Sequence, residues 1–592
     1  MRKGPLPAQT TVTPEKTASS AEYSTATVSS HPLRRGLIVI SIAAVLLTAT
    51  VTYVSTTLAL QFLENYPYFF DAAAYSYFNA FFYSKIQSNG VIAAVWDEIC
   101  HNGRSPLRTI PLALFAPSLL ANPVGHVATS VPALLAFLVT FGIAVFRRSQ
   151  SVLLAVAAML VFCSLNGVFD CTYGFATYWL DFTAALWAGA AALSLVNSDE
   201  TRSRNWVIAF SIFAACATLS RYISAGFIFF SCLPVLLTYS TIRIRKGDGW
   251  GAVLKPYAYM ALVIGVLAGT FLIVNCRDNF EFYRQCCYSL NQAFKISLTE
   301  ETWATRTFFQ DTVLSTMFGF ALVQILLNRK ASAGWHHTAI AVWLGISTHV
   351  LLILVLRANG GGPQTYYCVP LLTFALLSPV CIRNGLRMPF VRTYCAGLIA
   401  LSVFSFVTAY GLHSLKTAFP PETVKELKAF DVAMGDIVAK QNKALVWNEF
   451  FDERAWLPTM EAFYKTKKFC IPAGQLYFTI HESGWTSQYP NLTPQAVASK
   501  VINATNKLVE LSVVFDDPEA VTKSKLNNDY SKAVAAEVAR EMRRNAQWKK
   551  LSTYDTKEFG RLGIYWNTKV DGNAFSTFIE RKQNELHPLT MK

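Results

Sequence analysis

Residues 36–60 of the chain read GLIVISIAAVLLTATVTYVSTTLAL and hold no charged side chain. As an α-helix, which rises about 1.5 Å per residue, this segment is long enough to cross roughly 30 Å of bilayer hydrocarbon. Arg34 and Arg35 stand immediately before it, as cations do at the cytoplasmic end of a membrane span. The segment therefore predicts a membrane-spanning helix.

The same composition extends over most of the chain. Of its 592 residues, 53% are hydrophobic and only 15% are charged, whereas about a quarter are charged in soluble domains. A string of soluble domains is therefore excluded. Apolar runs of about twenty residues predict a polytopic α-helical membrane protein with about eleven spans, at 36–60, 124–146, 151–169, 177–196, 206–220, 223–241, 252–274, 312–327, 339–356, 365–381 and 391–412.

The formal net charge of +15 could mark a nucleic-acid-binding protein, so the position of the excess cations matters. Most of them lie in short loops at the same end of successive predicted spans, as the positive-inside rule requires of cytoplasmic loops. These clusters are Arg34–Arg35, Arg147–Arg148, Arg202 with Arg204, Arg243–Lys246, Arg329–Lys330, and Arg383 with Arg387 and Arg392. We therefore predict no nucleic-acid partner, a cytoplasmic N-terminus and, after an odd number of crossings, an outer C-terminal segment.

This topology divides the chain into three regions. Residues 1–35 are rich in Thr, Ser, Ala and Pro and predict a disordered cytosolic tail. Residues 36–412 predict the membrane domain, with long outer loops at 61–123 and 275–311. Residues 413–592 have soluble composition and predict an extracytoplasmic α/β or α+β domain.

Shorter patterns predict elements within these regions. The aromatic-rich pieces 72–86 and 280–294 of the two outer loops predict helices that lie in the membrane interface. In the outer domain the patterns predict helices at 421–440 and 531–548 and strands at 444–447, 508–515 and 563–566.

Several familiar motifs do not occur in a supporting context. The chain has no Walker loop, Rossmann glycine pattern or nucleophile elbow, which argues against a nucleotide-driven pump. Its twelve cysteines show no zinc-ligand spacing. Asp97 and His101 are four residues apart, a spacing that one helical face could offer to a metal ion. The sequence leaves the metal ligands unknown.

Four charged residues are predicted at the outer membrane level, where such residues are costly and often functional. They are Asp71, Asp181, Arg221 and Arg357. A carboxylate can accept the proton of an attacking hydroxyl, and arginine matches the geometry of a phosphate leaving group. Neighbouring aromatic rings suit contacts with a sugar or a lipid chain. Together these groups suit sugar transfer from a lipid phosphate.

Each of these residues also has an ordinary structural interpretation. Asp71 could cap the helix that follows it, and Asp181 could interact with the positive end of its own helix. Arg221 and Arg357 could be interfacial anchors whose long side chains reach the headgroups. The occurrence of all four at one membrane level favours the functional interpretation.

The pattern resembles the GT-C superfamily of polyprenyl-phosphate-sugar-dependent glycosyltransferases, in the branch of protein O-mannosyltransferases and aminoarabinose transferases. The resemblance covers residues 36–412. Its first motif is an acid early in the first outer loop with a tyrosine four residues later, which matches Asp71 with Tyr75, and its second is an acid at the outer start of the fourth span, which matches Tyr178-Trp179-Leu180-Asp181. The third is an arginine at the outer end of the fifth span, which matches Arg221-Tyr222. The fourth is a late arginine followed by a tyrosine pair and a proline, which matches Arg357 with Tyr366, Tyr367 and Pro370.

The resemblance implies the roles of the site residues. Asp71 would be the general base, and Asp181 would position the acceptor or orient a cation. Arg221, Arg357, Lys85 and Arg104 would bind the donor phosphate. Tyr75, Tyr178, Trp179, Tyr366 and Tyr367 would contact the sugar or the lipid. Ala72 stands where the mannosyltransferases carry the second acid of an Asp-Glu pair, so the donor sugar and any Mg²⁺ or Mn²⁺ requirement stay open.

The predicted partners are a polyprenyl-phosphate sugar donor, a lipid, glycan or protein acceptor, and the membrane itself, which we expect to be a bacterial inner membrane. One alternative is a lipid-linked sugar flippase or another polytopic transporter, which would place its ionisable groups near the bilayer midplane. Another is an envelope assembly protein that the helices only anchor.

Overall fold

The structure is a computed structural model. It describes residues 30–65, 79, 82–83, 85–101, 106–122, 125–170, 174–175, 180–285, 313–317, 319, 339–345, 368–378, 388–414, 422, 425, 445–448, 471–472, 493–508, 511–516, 529–556 and 560–569. Residues 1–29 of the predicted tail lie outside this set. The predicted spans at 312–327, 339–356 and 365–381 lie only partly within it.

The membrane region is helical wherever it has regular structure among the described residues. Its helices are α1 (Ser30–Asn65), α2 (Val91–His101), α3 (Pro106–Phe115), α4 (Gly125–Ser149), α5 (Val152–Cys163), α6 (Leu180–Asn197), α7 (Arg204–Ser220), α8 (Ile223–Arg245), α9 (Trp250–Gln285), α10 (Cys368–Leu377) and α11 (Met388–Ser414). Residues 85–89 are also helical and are separated from α2 by Gly90, whose φ of 81° favours glycine.

Six of the described helices are long and apolar enough to cross a membrane: α1, α4, α6, α8, α9 and α11. α3, α5 and α7 are apolar but shorter. Each predicted span between residues 36 and 274 coincides with α1 or with one of α4 to α9. The agreement is expected because a chain in hydrocarbon must satisfy its backbone polar groups internally, and a helix does so within one segment.

α6 is the central helix of this bundle. All of its residues except Thr183 are buried, and it packs against α4, α7 and α8. Gly189 allows a close helix crossing, because a Cβ atom there would lie 2.8 Å from Pro370 Cβ and 3.1 Å from the Phe137 ring. Small residues at crossings are typical of helices that pack in membranes.

The helices at the periphery of the bundle expose large apolar side chains. Examples are Ile38 and Val45 on α1, Leu262 and Val266 on α9, and Phe404 on α11. Water does not favour such a surface, whereas lipid chains do. The exposed apolar faces therefore agree with the predicted membrane location.

The cationic ends of α4 and α8 meet the α6–α7 loop at one end of the bundle. Arg147 at the end of α4 donates a hydrogen bond to the carbonyl of the last residue of α6. Arg243, at the end of α8, is buried. Its Nε lies 2.8 Å from Asp248 Oδ2, its Nη1 3.0 Å from Thr201 Oγ1, and its Nη2 2.9 Å from the Ala252 carbonyl. These contacts join α8 to the α6–α7 and α8–α9 loops.

Two helices extend further than the sequence predicted. α1 begins at Ser30, so the last residues of the predicted tail are helical. α9 continues to Gln285, past the predicted end at 274, and its 36 residues measure about 54 Å. Its continuation contradicts the prediction of a separate interfacial helix beginning at 280. The sequence offers no helix breaker there, because residues 270–285 contain neither Gly nor Pro.

The C-terminal region contains a five-stranded mixed sheet of order β2-β1-β3-β5-β4. Its strands are β1 (Leu445–Asn448), β2 (Ile471–Pro472), β3 (Leu511–Phe515), β4 (Trp548–Thr556) and β5 (Gly560–Asn567). β1 pairs in parallel with β2 and β3, whereas β5 pairs antiparallel with β3 and β4. With α12 (Pro494–Leu508) and α13 (Asp529–Arg544), this sheet agrees with the predicted mixture of helices and strands.

A charged cluster stabilises the end of β3. The buried Asp516 carboxylate accepts hydrogen bonds from Lys550 Nζ at 2.7 Å and Tyr565 Oη at 3.0 Å. Burial raises the pKa of Asp516, but these contacts and the nearby Arg561 outweigh that effect, so the pKa lies below the usual value of an aspartate. Gly563 leaves room for the cluster, since a Cβ there would lie 3.0 Å from Asp516 Oδ1.

Candidate active site

The candidate site lies at the end of the bundle opposite the cation-rich loops. The start of α6, the end of α7 and the start of α8 meet there, because α6 and α7 are antiparallel and only two residues separate α7 from α8. α2 and α3, which come from the first predicted outer loop, lie at this same end. Asn275 Nδ2 of α9 donates a hydrogen bond of 2.8 Å to the Ile99 carbonyl of α2.

Asp181 and Arg221, which the sequence singled out separately, form an ion pair. Arg221 Nε lies 2.8 Å from Asp181 Oδ1. The Asp181 side chain is 0% exposed, and that of Arg221 is 17% exposed. Asp181 is in the first turn of α6, and Arg221 is the C-cap of α7. A charge pair thus closes this end of the α6–α7 hairpin.

The backbone around Arg221 is well defined by the turn between α7 and α8. Arg221 is extended, with φ −158° and ψ 122°, and its N–H donates to the Ala217 carbonyl at 2.9 Å. Its own carbonyl accepts from Ser224 N–H at 2.9 Å. The next residue, Tyr222, packs its ring edge-on against Phe271 of α9 with centroids 6.5 Å apart. Three helices therefore fix the position of this turn.

Lys85 is held by a second ion pair. Its Nζ contacts Asp97 Oδ2 of α2, and the two side chains are 17% and 28% exposed. The sequence predicted Lys85 as a phosphate ligand but did not predict that Asp97 would be its partner. The partnership depends on the turn at Gly90, which brings residues 85–89 back along α2. Both side chains keep some exposure, so an approaching phosphate could still reach Lys85.

A buried polar contact joins the two helices of the first loop. Thr109 Oγ1 of α3 donates a hydrogen bond of 2.8 Å to Glu98 Oε1 of α2, and both residues are buried. Arg108 of α3 is 6% exposed. None of these three residues was predicted as a site residue, although Glu98 and Arg108 are charged residues within largely apolar helices. A charged residue within an apolar helix was the sequence signal by which these positions could have been recognised.

The structure describes only part of the predicted site. Of its residues, Asp181, Arg221 and Lys85 are described, and Asp181 and Arg221 are in contact. The others lie outside the described residues: Asp71, Tyr75, Arg104, Tyr178, Trp179, Arg357, Tyr366 and Tyr367. Within the described ranges, no three His, Cys, Asp or Glu side chains are grouped closely enough to hold a metal ion. Whether the protein requires Mg²⁺ or Mn²⁺ stays open.

Comparison with solved structures identifies the architecture. The crystal structure of ArnT from Cupriavidus metallidurans bound to undecaprenyl phosphate superposes with a TM-score of 0.53 at 13% sequence identity, covering 88% of this chain and 97% of ArnT. The chain has the ArnT fold. The predicted polytopic helical membrane fold is therefore confirmed.

Three further comparisons gave the following results. ArnT from the same organism in the apo state gives a TM-score of 0.48 at 13% identity, with the same coverage of 88% and 97%. No family model and no curated protein sequence matches the chain. The likeness to ArnT is thus one of fold.

This arrangement allows specific chemistry at the end of the ArnT-like bundle. Arg221 carries a planar guanidinium and keeps 17% of its side chain exposed, and a guanidinium matches the geometry of a phosphate. Lys85 can add a second positive charge from the first loop. The described residues thus supply cationic groups suited to a phosphate.

Proposed function

We propose that the protein is a membrane glycosyltransferase that moves a sugar from a polyprenyl-phosphate donor to a lipid, glycan or protein acceptor. The observation that carries the proposal is the fold shared over 88% of the chain with ArnT, a structure that holds undecaprenyl phosphate. The buried Asp181–Arg221 pair adds support, because it places a guanidinium at the end of the bundle where the sequence predicts the reaction.

In the proposed reaction, Asp71 removes the proton from an acceptor hydroxyl. The hydroxyl oxygen then bonds to the anomeric carbon, and the bond from that carbon to the phosphate oxygen breaks with inversion. The electron pair stays on the departing polyprenyl phosphate. Arg221, Arg357, Lys85 and Arg104 stabilise its increased negative charge, as cationic clamps do in phosphate chemistry. Tyr75, Tyr178, Trp179, Tyr366 and Tyr367 line the sugar and lipid subsites.

The proposed orientation follows the charges of the loops. The end with the cationic loops faces the cytoplasm of a bacterial inner membrane, so the Asp181–Arg221 end and residues 413–592 face outward. A membrane-impermeant maleimide tests this orientation on two exposed positions. We expect Lys569→Cys to add a label in intact cells and Lys246→Cys to add one only after permeabilisation. The reverse pattern would contradict the orientation.

The main test uses membranes that contain the full-length protein and radiolabelled polyprenyl-phosphate sugars. We expect label to enter a lipid, glycan or protein fraction, and Asp71→Asn to slow the transfer by roughly 10²- to 10⁴-fold, the usual contribution of a general base. Asp555→Asn is the matched control, since that side chain is 80% exposed on β4. An Asp71→Asn enzyme with unchanged rate would refute the base. Donor that changes leaflet without losing its sugar would indicate a flippase instead.

A further inference from the structure

We infer that Asp181 is a positioning residue that orients the Arg221 guanidinium toward the donor phosphate. The inference rests on the proposed function and deepens it, because it concerns how one phosphate ligand is held. The sequence assigned Asp181 to the acceptor or to a cation. The ion pair with Arg221 suggests a different task for this carboxylate.

The burial of Asp181 argues against direct contact with substrate. Its side chain is 0% exposed, and one of its oxygens lies 2.8 Å from Arg221 Nε. An acceptor hydroxyl has no path to a carboxylate without exposed surface. Arg221 keeps 17% of its side chain exposed, so of the two residues it is the one that a ligand can reach.

The pair also fixes the direction of the guanidinium. The backbone of Arg221 is held by hydrogen bonds to Ala217 and from Ser224, each 2.9 Å long. Asp181, at the other end of the side chain, lies 2.8 Å from Nε, and the two opposite charges attract each other where little solvent reaches them. The pair thereby holds the guanidinium at the partly exposed position from which it can meet a phosphate. Preorganisation of this kind reduces the entropy lost on binding.

Positioning and simple electrostatics predict opposite results. The Asp181 carboxylate repels a phosphate, so removal of its charge by Asp181→Asn should strengthen phosphate binding if charge alone mattered. If the carboxylate orients Arg221, the same substitution should weaken binding, although the site becomes more positive. The sign of the change therefore decides between the two explanations.

The experiment measures the binding of undecaprenyl phosphate and of uncharged undecaprenol to the purified full-length protein in lipid nanodiscs. We expect the wild type to prefer the phosphate. Asp181→Asn should weaken phosphate binding by about 10- to 100-fold, the scale set by a misplaced active-site group, and leave undecaprenol binding unchanged. In an Arg221→Lys background, Asp181→Asn should add less than about a twofold loss, because the group that it orients is already gone.

A matched control is the pair Arg243–Asp248 at the opposite end of the bundle, which has the same 2.8 Å separation of Nε and carboxylate oxygen. Asp248→Asn should leave the preference for phosphate intact. Three results would each overturn the inference. Asp181→Asn could bind undecaprenyl phosphate more tightly than the wild type does, or it could lose the same affinity for both lipids. The third result is a wild type that binds the two lipids equally well. Phosphate preference that depends on Asp181 without any sugar transfer would support the inference and refute the proposed function.

Discussion

Substitution of Arg243 tests how the cation-rich end of the bundle is held together. Arg243 is 5% exposed, and in Arg243→Ala the Thr201 hydroxyl and the Ala252 carbonyl lose the donors that now lie 3.0 and 2.9 Å away. Hydrogen bonds that involve a charged group contribute about 1.5–3 kcal/mol each, so these two together contribute on the order of 3 kcal/mol. The Asp248 carboxylate keeps contact with solvent, which screens its attraction for the guanidinium.

The assay is thermal unfolding of the full-length protein in nanodiscs, followed by intrinsic fluorescence. We expect Arg243→Ala to lower Tm by several degrees, since each 1 kcal/mol corresponds to about 2–4 °C even in larger domains. Arg243→Lys should recover only part of the loss, because one ammonium cannot reach three acceptors on different segments. Thr201→Val should cost less than Arg243→Ala and add little to it. A Tm of Arg243→Ala within about 1 °C of wild type would refute this reasoning.

Two more predictions concern packing and pH. At Gly142, a Cβ would lie 2.7 Å from Ile40 and 2.9 Å from Met159 Sδ, so Gly142→Ala should destabilise the protein by about 1–3 kcal/mol. The control is Gly265→Ala, which should be nearly neutral because no atom lies within 4 Å of a Cβ at that position. Equal Tm values for the two variants would contradict the prediction. The pKa of Asp516 is lowered in the folded protein, so its contribution is complete above the unfolded pKa near 3.8 and is lost as pH falls through the folded pKa. Asp516→Asn should flatten the loss of Tm as the pH falls below about 4 relative to wild type, and an unchanged pH profile would argue against the cluster.

The helices of the membrane region were the most predictable part of the fold. Residues 36–60 form a helix because an uncharged segment of that length has only one way to satisfy its backbone in hydrocarbon. The end of α9 was harder to predict, since hydropathy marks where the lipid ends and not where the helix ends. Residues 275–285 are more polar than the span and still helical.

The strands of the C-terminal sheet were harder to predict than the membrane helices. β3 and β5 carry alternating or continuous apolar residues and were predicted within a few positions. β4 reads WKKLSTYDT, which is polar, and was missed. Its conformation comes from antiparallel pairing with β5, a contact between segments that a local pattern does not contain.

In the candidate site, the sequence indicated which residues matter but not how they pair. Asp181 and Arg221 stood out because each is a charge at the edge of an apolar run. The two residues are forty positions apart in the sequence, and their contact depends on the antiparallel packing of α6 and α7. For Asp97 the sequence offered His101 one turn away, whereas the structure pairs it with Lys85 across the turn at Gly90.

The burial of α6 has a consequence for how the protein is made. α6 is the least apolar of the six long helices and begins with a buried acid, yet protein surrounds it on nearly every side in the finished bundle. Alone in lipid it would expose that acid, which costs a nascent helix part of its insertion energy. Arg221 leaves the ribosome forty residues after Asp181. We therefore expect α6 and α7 to enter the bilayer together as a hairpin, with the two charges already paired.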